Sequence, residues 1–540
     1  MFCHTPQVNQ LTAILQGHQI RHLVVCPGSR NATIVHNLHE CPESFELHPV
    51  TDERSAGFVA LGLSLALQEP TAVCITSGSA LLGCIPAVAE AFYRHIPLLV
   101  ISADRPMQWI GQYDGQTLPQ NGALEPYCKT FQLCVPHTAQ DQWYNNRSIN
   151  EAILSLRQGE GGPAHLNIPI EEPMFQFTVL ELPQERIIHE IRPSFVSPLP
   201  NDVVELIRHA RLPALLIGQY EHGDIRSETD LLERQGQLLI LPEILSDVRG
   251  NFRMDILDEA QENDEALIPD LILHIGGNFV HKRFKQLLRK SNCHVIRIGT
   301  DAGIPDTFCH LETLIQVPAQ IVLSQLARVL SHHHSGVVKA QQLYHEAILQ
   351  KQVLARKAET LELTQYHTLY VLHEVLQLEG LTYTLHLANS STVRVAGKIF
   401  PSGEQPIYGN RGTNGIEGSL STAVGCSLGM WGLHIAIIGD LSFFYDANAL
   451  WNVRLPAELR ILLLNNGHGS IFDRLPGLPQ SPACTDLIAA GNQHFSAKGL
   501  SETFHVGYHC VRHEGELRDK IKTWLQSSKQ AQILEVFTQD

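Results

Sequence analysis

Two apolar runs near the end of the chain each finish in a polar side chain that could bind a metal. Residues 434–438 lead into Gly439 and Asp440, and residues 461–464 lead into Asn466. Each run is typical of a buried parallel strand, and open α/β sheets bind ligands beyond the carboxyl ends of their strands. Carboxylate, amide and loop-carbonyl oxygens suit Mg²⁺, which leaves coordination positions for phosphate. The pair predicts a metal–diphosphate site, although either residue alone could be a helix cap or turn residue.

The loop that contains Asn466 has a composition that allows a ligand to approach the backbone. It reads Asn-Asn-Gly-His-Gly over residues 465–469, and its glycines permit close approach. We expect His468 to contribute its backbone carbonyl and not its imidazole. The spacing between Asp440 and Asn466 leaves room for one helix, predicted over roughly residues 443–453.

An acidic residue at a predicted helix start is the second candidate. A helix is expected to begin near Asp52, with Glu53 in its first turn. Such a residue can serve only the helix dipole, so the structural alternative stays open. Several small residues follow on this helix and imply close packing against something large, for which a subunit interface would fit. They are Ser55, Ala56, Gly57, Ala60 and Gly62.

Arginines at predicted strand ends and loops form the third group, in a chain whose formal net charge is −16. They are Arg30, Arg105, Arg394 and Arg411. Any one of them could be a surface ion-pair partner. Together they suit an anionic ligand, because guanidinium binds carboxylate in a bidentate manner. The glycine-rich loop 409–418 could hold phosphate or a heterocycle, but such loops are common.

The elements that must position these groups alternate in a βαβ rhythm. Strands are predicted at 23–26, 72–75 and 97–101, which favours a parallel, doubly wound sheet. A Pro-rich linker over 183–200 precedes a second α/β block with strands at 214–218, 271–277 and 294–299, and a third block runs from about residue 382. The first and third blocks look like two copies of one architecture. The run His332-His333-His334 is expected to be a solvated loop, because adjacent histidines cannot all face one ion.

Composition excludes several classes of function. A length of 540 residues suggests about three domains. No apolar run reaches the roughly 18 residues of a membrane span, and the N-terminus lacks signal-peptide features. The twelve cysteines include no C-x-x-C pair and suit reduced thiols in a cytosolic protein. The negative charge argues against nucleic acid or an anionic membrane as a partner.

With these motifs in view, the chain resembles the thiamine-diphosphate enzymes of the decarboxylase superfamily, and within them the carboligases of menaquinone biosynthesis. The segments that match in order are 27–30, 52–58, 103–106, 410–412 with 415–418, and 439–443. The resemblance implies three doubly wound parallel-sheet domains: a pyrimidine-binding domain over 1–182, a central domain over 195–330 and a diphosphate-binding domain over 355–540. It also implies thiamine diphosphate with Mg²⁺ or Mn²⁺.

The resemblance further implies a cytoplasmic homodimer or homotetramer with its sites at the dimer interface. Catalytic Glu53 of one subunit would hydrogen-bond the pyrimidine ring of cofactor held by the other subunit. The implied metal ligands are Asp440, Asn466 and His468. The implied cofactor contacts are Glu53, Ile416, Gly439, Asp440, Leu441, Ser442, Asn466, His468 and Ile471.

The implied reaction decarboxylates 2-oxoglutarate and adds the resulting succinic semialdehyde carbanion to isochorismate. Both substrates are dianions, which explains the cations. The implied substrate contacts are Ser29, Arg30, Arg105, Gln116, Lys282, Arg283, Ser390, Arg394, Arg411, Ile471 and Phe472. The chain departs from the family pattern at Asn31, Gly115 and His468. Two alternatives stay open. One is an enzyme of the acetolactate-synthase type, against which the arginine set argues. The other is a catalytically dead binding protein, against which the intact Glu53, Asp440 and Asn466 argue.

Overall fold

The computed structural model describes residues 1–190, 197–221, 223–250, 266–300, 303–330, 334–357, 362–452, 455–491 and 494–540. These residues form three sheets, of six, five and six strands, in which all paired strands are parallel. Helices cover both faces of each sheet, so that each sheet separates two layers of apolar side chains. The predicted α/β class with three doubly wound parallel sheets is confirmed.

The first sheet has the strand order β2-β1-β3-β4-β6-β5. Its elements are α1 (Pro6–Gly17), β1 (His22–Val25), α2 (Ala32–His39), β2 (Glu46–Pro49), α3 (Glu53–Leu67), β3 (Thr71–Ile75), α4 (Ser79–Gly83), α5 (Ile85–Arg94), β4 (Leu98–Asp104), β5 (Thr130–Gln132), α6 (Ala139–Ser155) and β6 (Ala164–Pro169). A short 3-10 helix spans Met107–Trp109.

The central sheet has the order β11-β10-β9-β7-β8. Its elements are α7 (Asn201–His209), β7 (Pro213–Ile217), α8 (Arg226–Arg234), β8 (Leu239–Pro242), β9 (Leu271–Ile275), α9 (Lys282–Lys290), β10 (His294–Ile298), β11 (Leu311–Ile315), α10 (Ala319–Val329) and α11 (Ser335–Lys357).

The third sheet has the order β13-β12-β14-β15-β17-β16. Its helices and strands are α12 (Gln365–Leu378), β12 (Tyr383–Leu387), α13 (Ser391–Ala396), β13 (Ile407–Tyr408), α14 (Ser419–Gly429), β14 (Leu433–Gly439), α15 (Asp440–Tyr445), β15 (Leu459–Asn465), α16 (Lys498–Thr503), β16 (Gly507–Val511), α17 (Leu517–Leu525) and β17 (Gln532–Phe537). Short 3-10 helices span Ala447–Leu450, Phe472–Arg474, Leu478–Gln480 and Glu514–Glu516, and a π-helical turn spans Cys484–Ile488.

The first and third sheets share one topology. When the strands of the third sheet are numbered from one, its order becomes 2-1-3-4-6-5, which is the order of the first sheet. In both, a helix rich in small residues connects the second strand to the third: α3 in the first and α14 in the other. The expectation of two copies of one architecture therefore agrees with the strand order.

Helices α3 and α14 pack against each other within the chain, and glycines allow the close approach. A Cβ on Gly62 of α3 would overlap the carbonyl oxygen of Thr422, and a Cβ on Gly425 of α14 would overlap that of Val59. The thiol of Cys426 donates to the carbonyl of Gly62 over 3.2 Å. A contact inside the chain therefore accounts for the close approach at Gly62, a position for which a subunit interface would also fit.

Two predicted helices have different limits in the structure. The helix expected over 443–453 begins earlier, because Asp440 follows β14 directly and its Oδ1 accepts the amide of Leu441 over 2.8 Å. It ends at Tyr445, after which Asp446 turns to bind Ser421. The helix expected to run to about residue 92 is divided into α4 and α5 at Cys84, two residues before a proline that has no amide to donate.

Other sequence expectations fall in simpler parts of the structure. The described residues between 183 and 200 form neither helix nor strand, as expected of a linker. His332 and His333 lie outside the described residues, whereas His334 directly precedes α11. All twelve cysteines are free thiols. Across the described ranges, no helix is both long and apolar enough to cross a membrane.

Candidate functional site

The carboxylate of Asp440 lies at the carboxyl end of β14 and is buried. Its Oδ1 accepts the amide of Leu441, and its Oδ2 accepts the amide of Gly467 over 2.7 Å. Burial raises the pKa of this carboxyl, while the two amide hydrogen bonds act in the opposite direction. No lysine or arginine among the described residues forms an ion pair with it. A buried carboxylate held only by backbone amides has capacity for a cation.

Asn466 and His468 present their oxygens at the same edge. The amide nitrogen of Asn466 donates to the carbonyl of Asp540 over 2.6 Å, which leaves Oδ1 with only a 3.4 Å contact from the amide of His468. Both imidazole nitrogens of His468 are engaged, Nδ1 with the Asn466 carbonyl at 3.2 Å and Nε2 with Asp473 at 2.7 Å. The imidazole is therefore turned to its own loop, which is consistent with a role for the backbone carbonyl.

The surroundings of this edge leave room for a ligand. A Cβ on Gly439 would meet no atom within 4 Å, so the strand end faces open space. The Ser442 hydroxyl donates to the carbonyl of Ile416 over 2.5 Å, and the Ile416 side chain remains 38% exposed. The start of α15 thereby fixes the loop that carries the isoleucine predicted to contact the cofactor. Gly439, Asp440, Leu441, Ser442 and Ile416 thus lie at one corner of the third sheet.

Glu53 lies in the first turn of α3, and its carboxylate is available to a ligand. Asp52 is the N-cap, and its Oδ1 accepts the amide of Arg54 over 2.9 Å. Within the described residues, the Glu53 carboxylate has no hydrogen bond or ion pair. Its carbonyl accepts the Cys84 thiol at 3.5 Å, and the pKa of that thiol is raised by burial and by the charge of Glu53. The dipole role that remained open for Glu53 is consistent with this position as well.

The start of α3 is attached to the end of α15 in the same chain. Arg54 donates to the carbonyl of Tyr445 over 2.8 Å, and its guanidinium lies 4.7 Å from the Tyr445 ring centroid. The amide of Asn448 donates to Asp52 over 2.7 Å. One chain therefore brings the helix of Glu53 against the helix that begins at Asp440. The pairing of Glu53 with a partner's metal site stays a prediction.

Arg30 and Arg105 form a first cationic cluster at the edge of the first sheet. Arg30 is buried, donates to the carbonyl of Ile170 over 2.9 Å and lies 3.3 Å from the carboxylate of Glu172. Arg105 lies 3.7 Å from Glu172 and 3.5 Å from Asp114. Burial and the charge of Arg105 lower the pKa of Arg30. Glu172 is 70% exposed, so a carboxylate from solution could compete for both guanidinium groups.

Arg394 and Arg411 form a second cationic cluster, at the edge of the third sheet. Arg411 is buried and donates to Oδ1 of Asn389 over 3.0 Å. Burial and the charge of Arg394 lower its pKa to about 10. The Nε of Arg411, like that of Arg105, is buried without a hydrogen-bond partner in the described part of the chain. Arg394 donates to the carbonyl of Ser390, the N-cap of α13. Unpaired donors beside clustered positive charge indicate a site for anions.

The central domain adds a lysine that sequence reasoning missed. Lys282 and Arg283 are exposed in the first turn of α9. Lys285 is half-buried on the same helix, and its pKa is lowered by burial and then by the charge of Arg411. The signal was present in the sequence, because residues three apart share one side of a helix.

A buried glutamate on α5 connects the domains, and it was also missed. Glu90 is fully buried, and its carboxylate accepts the amides of Gly412 over 2.9 Å and Thr413 over 2.7 Å and the Thr413 hydroxyl over 2.9 Å. Arg94, 3.6 Å from Glu90, donates to Oδ1 of Asn410 over 3.0 Å and pairs with Glu221 of the central domain. The loop of Arg411 is therefore held by the first domain.

The remaining predicted contacts lie on loops at the sheet edges. Ser29 is exposed on the loop that follows β1, and Gln116 is exposed with a left-handed φ of 56°. A Cβ on Gly78 would lie 3.1 Å from the Cα of Gln116, so the loop after β3 touches the loop of Gln116. Ile471 and Phe472 are half-buried beyond the metal loop. Among the described residues, the first cationic cluster contacts Ile170, Glu172 and Asp114, whereas the second contacts Ser390 and Asn389, so the two clusters share no partner.

Comparison with known proteins identifies the class first. Residues 8–125, which include β1 to β4 and Glu53, match the family described as thiamine pyrophosphate enzyme, N-terminal TPP binding domain. The fold and the oxygen-lined edge at Asp440 agree with this class, a thiamine-diphosphate enzyme with a divalent metal.

Full-length relatives then give the family. The chain is 39% identical over 554 aligned positions to the 2-succinyl-5-enolpyruvyl-6-hydroxy-3-cyclohexene-1-carboxylate (SEPHCHC) synthase of Bacteroides thetaiotaomicron, with 100% of this chain and 97% of the relative covered. It is 32% identical to the synthase of Porphyromonas gingivalis, with 98% of this chain and 94% of the relative covered. It is also 32% identical to the synthase of Flavobacterium johnsoniae, with 96% of this chain and 93% of the relative covered. The chain belongs to the SEPHCHC synthase family.

Proposed function

We propose that the chain decarboxylates 2-oxoglutarate and joins the remaining four-carbon fragment to isochorismate, giving SEPHCHC and CO₂ in menaquinone biosynthesis. The observation that supports this most directly is the pair of cationic clusters with unpaired guanidinium donors. Two dianionic substrates require this much positive charge, whereas a small monoanion such as pyruvate requires less. Membership of the synthase family supports the same reaction.

The residues present fit thiamine diphosphate and a divalent metal. Asp440 offers a buried carboxylate without a cationic partner among the described residues, and Asn466 offers an amide oxygen with only one long contact. With the carbonyl of His468 they supply three hard oxygen donors, which suits Mg²⁺ or Mn²⁺. Open space at Gly439 allows a phosphate group to approach the strand end.

We further propose that the working site is shared between two copies of the chain in the cytoplasm. Within one chain the two cationic clusters have no hydrogen-bond or ion-pair partner in common among the described residues, and each lies at the edge of a different sheet. A homodimer that faces the first sheet of one copy with the third sheet of the other would bring both clusters and Glu53 to one cofactor. A tetramer built from such dimers would keep the same sites.

The chain's own residues then have distinct tasks. When bound, thiamine diphosphate supplies the electron sink for decarboxylation and carbon–carbon bond formation. Glu53 holds a proton against a ring nitrogen of the pyrimidine, because its carboxylate has no competing partner among the described residues. Arg30 and Arg105 hold substrate carboxylates on one side, and Arg394 and Arg411 hold them on the other. Ile471 and Phe472 exclude water beside the reacting carbon.

The test measures CO₂ release from 2-oxoglutarate with and without isochorismate, and from pyruvate. We expect release from 2-oxoglutarate that depends on isochorismate, with SEPHCHC formed in equal amount. Equal turnover of pyruvate without isochorismate would instead assign an activity of the acetolactate-synthase type. Sedimentation of the holoenzyme tests the shared site, since a catalytically competent monomer would contradict it.

A further inference from the structure

Two histidines and one glutamate meet at the end of the first sheet opposite its cationic edge. His22 begins β1 and pairs in register with Glu46 of the neighbouring strand β2, and His48 lies two residues further along β2. Register partners share a face of the sheet, as do residues two apart on a strand. All three side chains therefore project from one face. That face packs on α3, because Val24 and Val50, two residues beyond His22 and His48, join the core cluster that contains α3.

The donor atoms of these side chains have the spacing of metal ligands. Nδ1 of His22 lies 3.3 Å from Nε2 of His48, and the Glu46 carboxylate oxygens lie 3.8 Å from the former and 3.9 Å from the latter. A tetrahedral ion with bonds of about 2.0–2.1 Å requires neighbouring donors about 3.3–3.4 Å apart. The two imidazoles already meet that spacing, and the carboxylate reaches it with a shift of about half an ångström, as expected of a mobile side chain.

Burial and charge suit a cation that enters from the solvent side. The side chain of His48 is 7% exposed and that of His22 15%, whereas that of Glu46 is 50% exposed. Packing therefore holds the two imidazoles in place, whereas the carboxylate of Glu46 is open to solvent. Burial lowers the pKa of His22, although the charge of Glu46 acts in the opposite direction. A neutral imidazole is the form that binds a metal.

We propose that His22, Glu46 and His48 bind a divalent transition ion, most readily Zn²⁺, that clamps the edge strand β2 to β1. The two imidazoles are borderline donors that favour Zn²⁺ over Mg²⁺, so this site differs in chemistry from the oxygen-lined edge at Asp440. The clamp has a structural purpose, because β2 is a four-residue edge strand that, in the part of the chain the structure describes, pairs with β1 alone. The proposal does not depend on the catalytic function.

The test titrates Zn²⁺ into untagged protein that is first saturated with thiamine diphosphate and excess Mg²⁺. The variants are His22→Gln and Glu46→Gln, the second of which changes a half-exposed side chain and should fold normally. The matched control is His294→Gln, because His294 pairs with Glu312 at 2.8 Å on the surface. We expect one zinc site per chain in the wild type and the control. Both variants should lose at least about a hundredfold in affinity, since even outer-shell losses weaken metal binding by 10–100-fold.

Two further readouts separate this site from adventitious zinc. Zn²⁺ should raise the unfolding midpoint of the wild type and the control but not of the two variants. Co²⁺ should give the visible absorption of nitrogen and oxygen ligation, without a thiolate charge-transfer band, and the variants should lose it. Equal zinc affinity in the wild type and Glu46→Gln would overturn the proposal. Cobalt absorption dominated by thiolate would do the same, and the 3.3 Å contact would then be only a hydrogen bond between imidazoles.

Discussion

Glu90 offers the sharpest test of how contacts between domains position Arg411, which is proposed to bind a substrate carboxylate. Its buried carboxylate receives three hydrogen bonds from Gly412 and Thr413, which directly follow Arg411 on its loop. Glu90→Gln keeps the shape of the side chain but removes its charge. One carboxylate oxygen becomes an amide group that donates, so it opposes a backbone amide instead of accepting from it.

The magnitude follows from these contacts. Loss of a charge-assisted hydrogen bond costs about 1.5–3 kcal/mol. Arg94, also buried, loses a carboxylate at 3.6 Å. Breaking a buried ion pair typically costs about 3–5 kcal/mol, so we expect a loss of stability in that range. If the loop of Arg411 shifts by about 1 Å, kcat/KM for the substrates should fall by about a hundredfold. Most of the change should appear in KM, because Arg411 is assigned to substrate binding.

The measurements are unfolding midpoints in denaturant and steady-state kinetics with both substrates varied. Glu374→Gln is the matched control, because Glu374 pairs with Arg518 at 2.6 Å on the surface and its loss should cost less than about 1 kcal/mol. A double-mutant cycle with Arg411→Ala separates positioning from general destabilisation. If Glu90 acts through Arg411, the double variant should be no slower than Arg411→Ala alone. Additive losses in kcat/KM would refute the reasoning, even if stability falls as expected.

Four other changes test separate parts of the argument. Glu53→Gln should abolish turnover while thiamine diphosphate still binds by calorimetry, and unchanged turnover would remove Glu53 from its role. Arg394→Ala should raise the KM for substrate at least about tenfold with little change in cofactor affinity, whereas equal losses of both would contradict its assignment. Gly62→Ala should destabilise the chain by about 1–3 kcal/mol, while Gly499→Ala, whose added Cβ meets no atom within 4 Å, should not. Burial raises the pKa of Asp446 to about 6. Its ionisation therefore weakens the fold as pH rises through about 4 to 6. Between pH 7 and pH 4, the free energy of unfolding of the wild type should rise by up to about 3 kcal/mol more than that of Asp446→Asn, as measured by thermal unfolding. The same pH dependence in both proteins would contradict this.

The parallel sheets and their ligand edges could be predicted because strand and edge are both local features. A continuous apolar run such as β14 is recognisable as a strand buried on both faces, and Asp440 directly after it lies at the strand's carboxyl end in any parallel sheet. The same logic placed Asn466 after β15 and Arg105 after β4. The apolar run and the polar residue after it lie within a few residues of each other, so a short stretch of sequence is enough to predict each site.

Contacts between distant segments could not be predicted in this way. Glu90 and Gly412 are 322 residues apart, and nothing near either one indicates the other. The small residues on α3 fit a subunit interface as well as the contact with α14, since small residues indicate close approach but not which element approaches. The end of α15 depends on the bond from Ser421 to Asp446, which joins separate helices. In each case the missing information is tertiary.

The two copies of one topology divide the chemistry between equivalent positions. The helix between the second and third strands begins with Asp52 and Glu53 in the first copy, but with Gly418 as N-cap in the other. After the third strand the acid is Asp440 in the C-terminal copy, whereas the first copy continues through the Thr76 loop without one. The carboxylate proposed to bind the metal and the carboxylate proposed to hold a proton therefore occupy different positions in the same topology. Helices α3 and α14 pack together, and a Cβ on Gly418 would overlap the ring of Phe58, so the start of α14 lies beside the first two turns of α3.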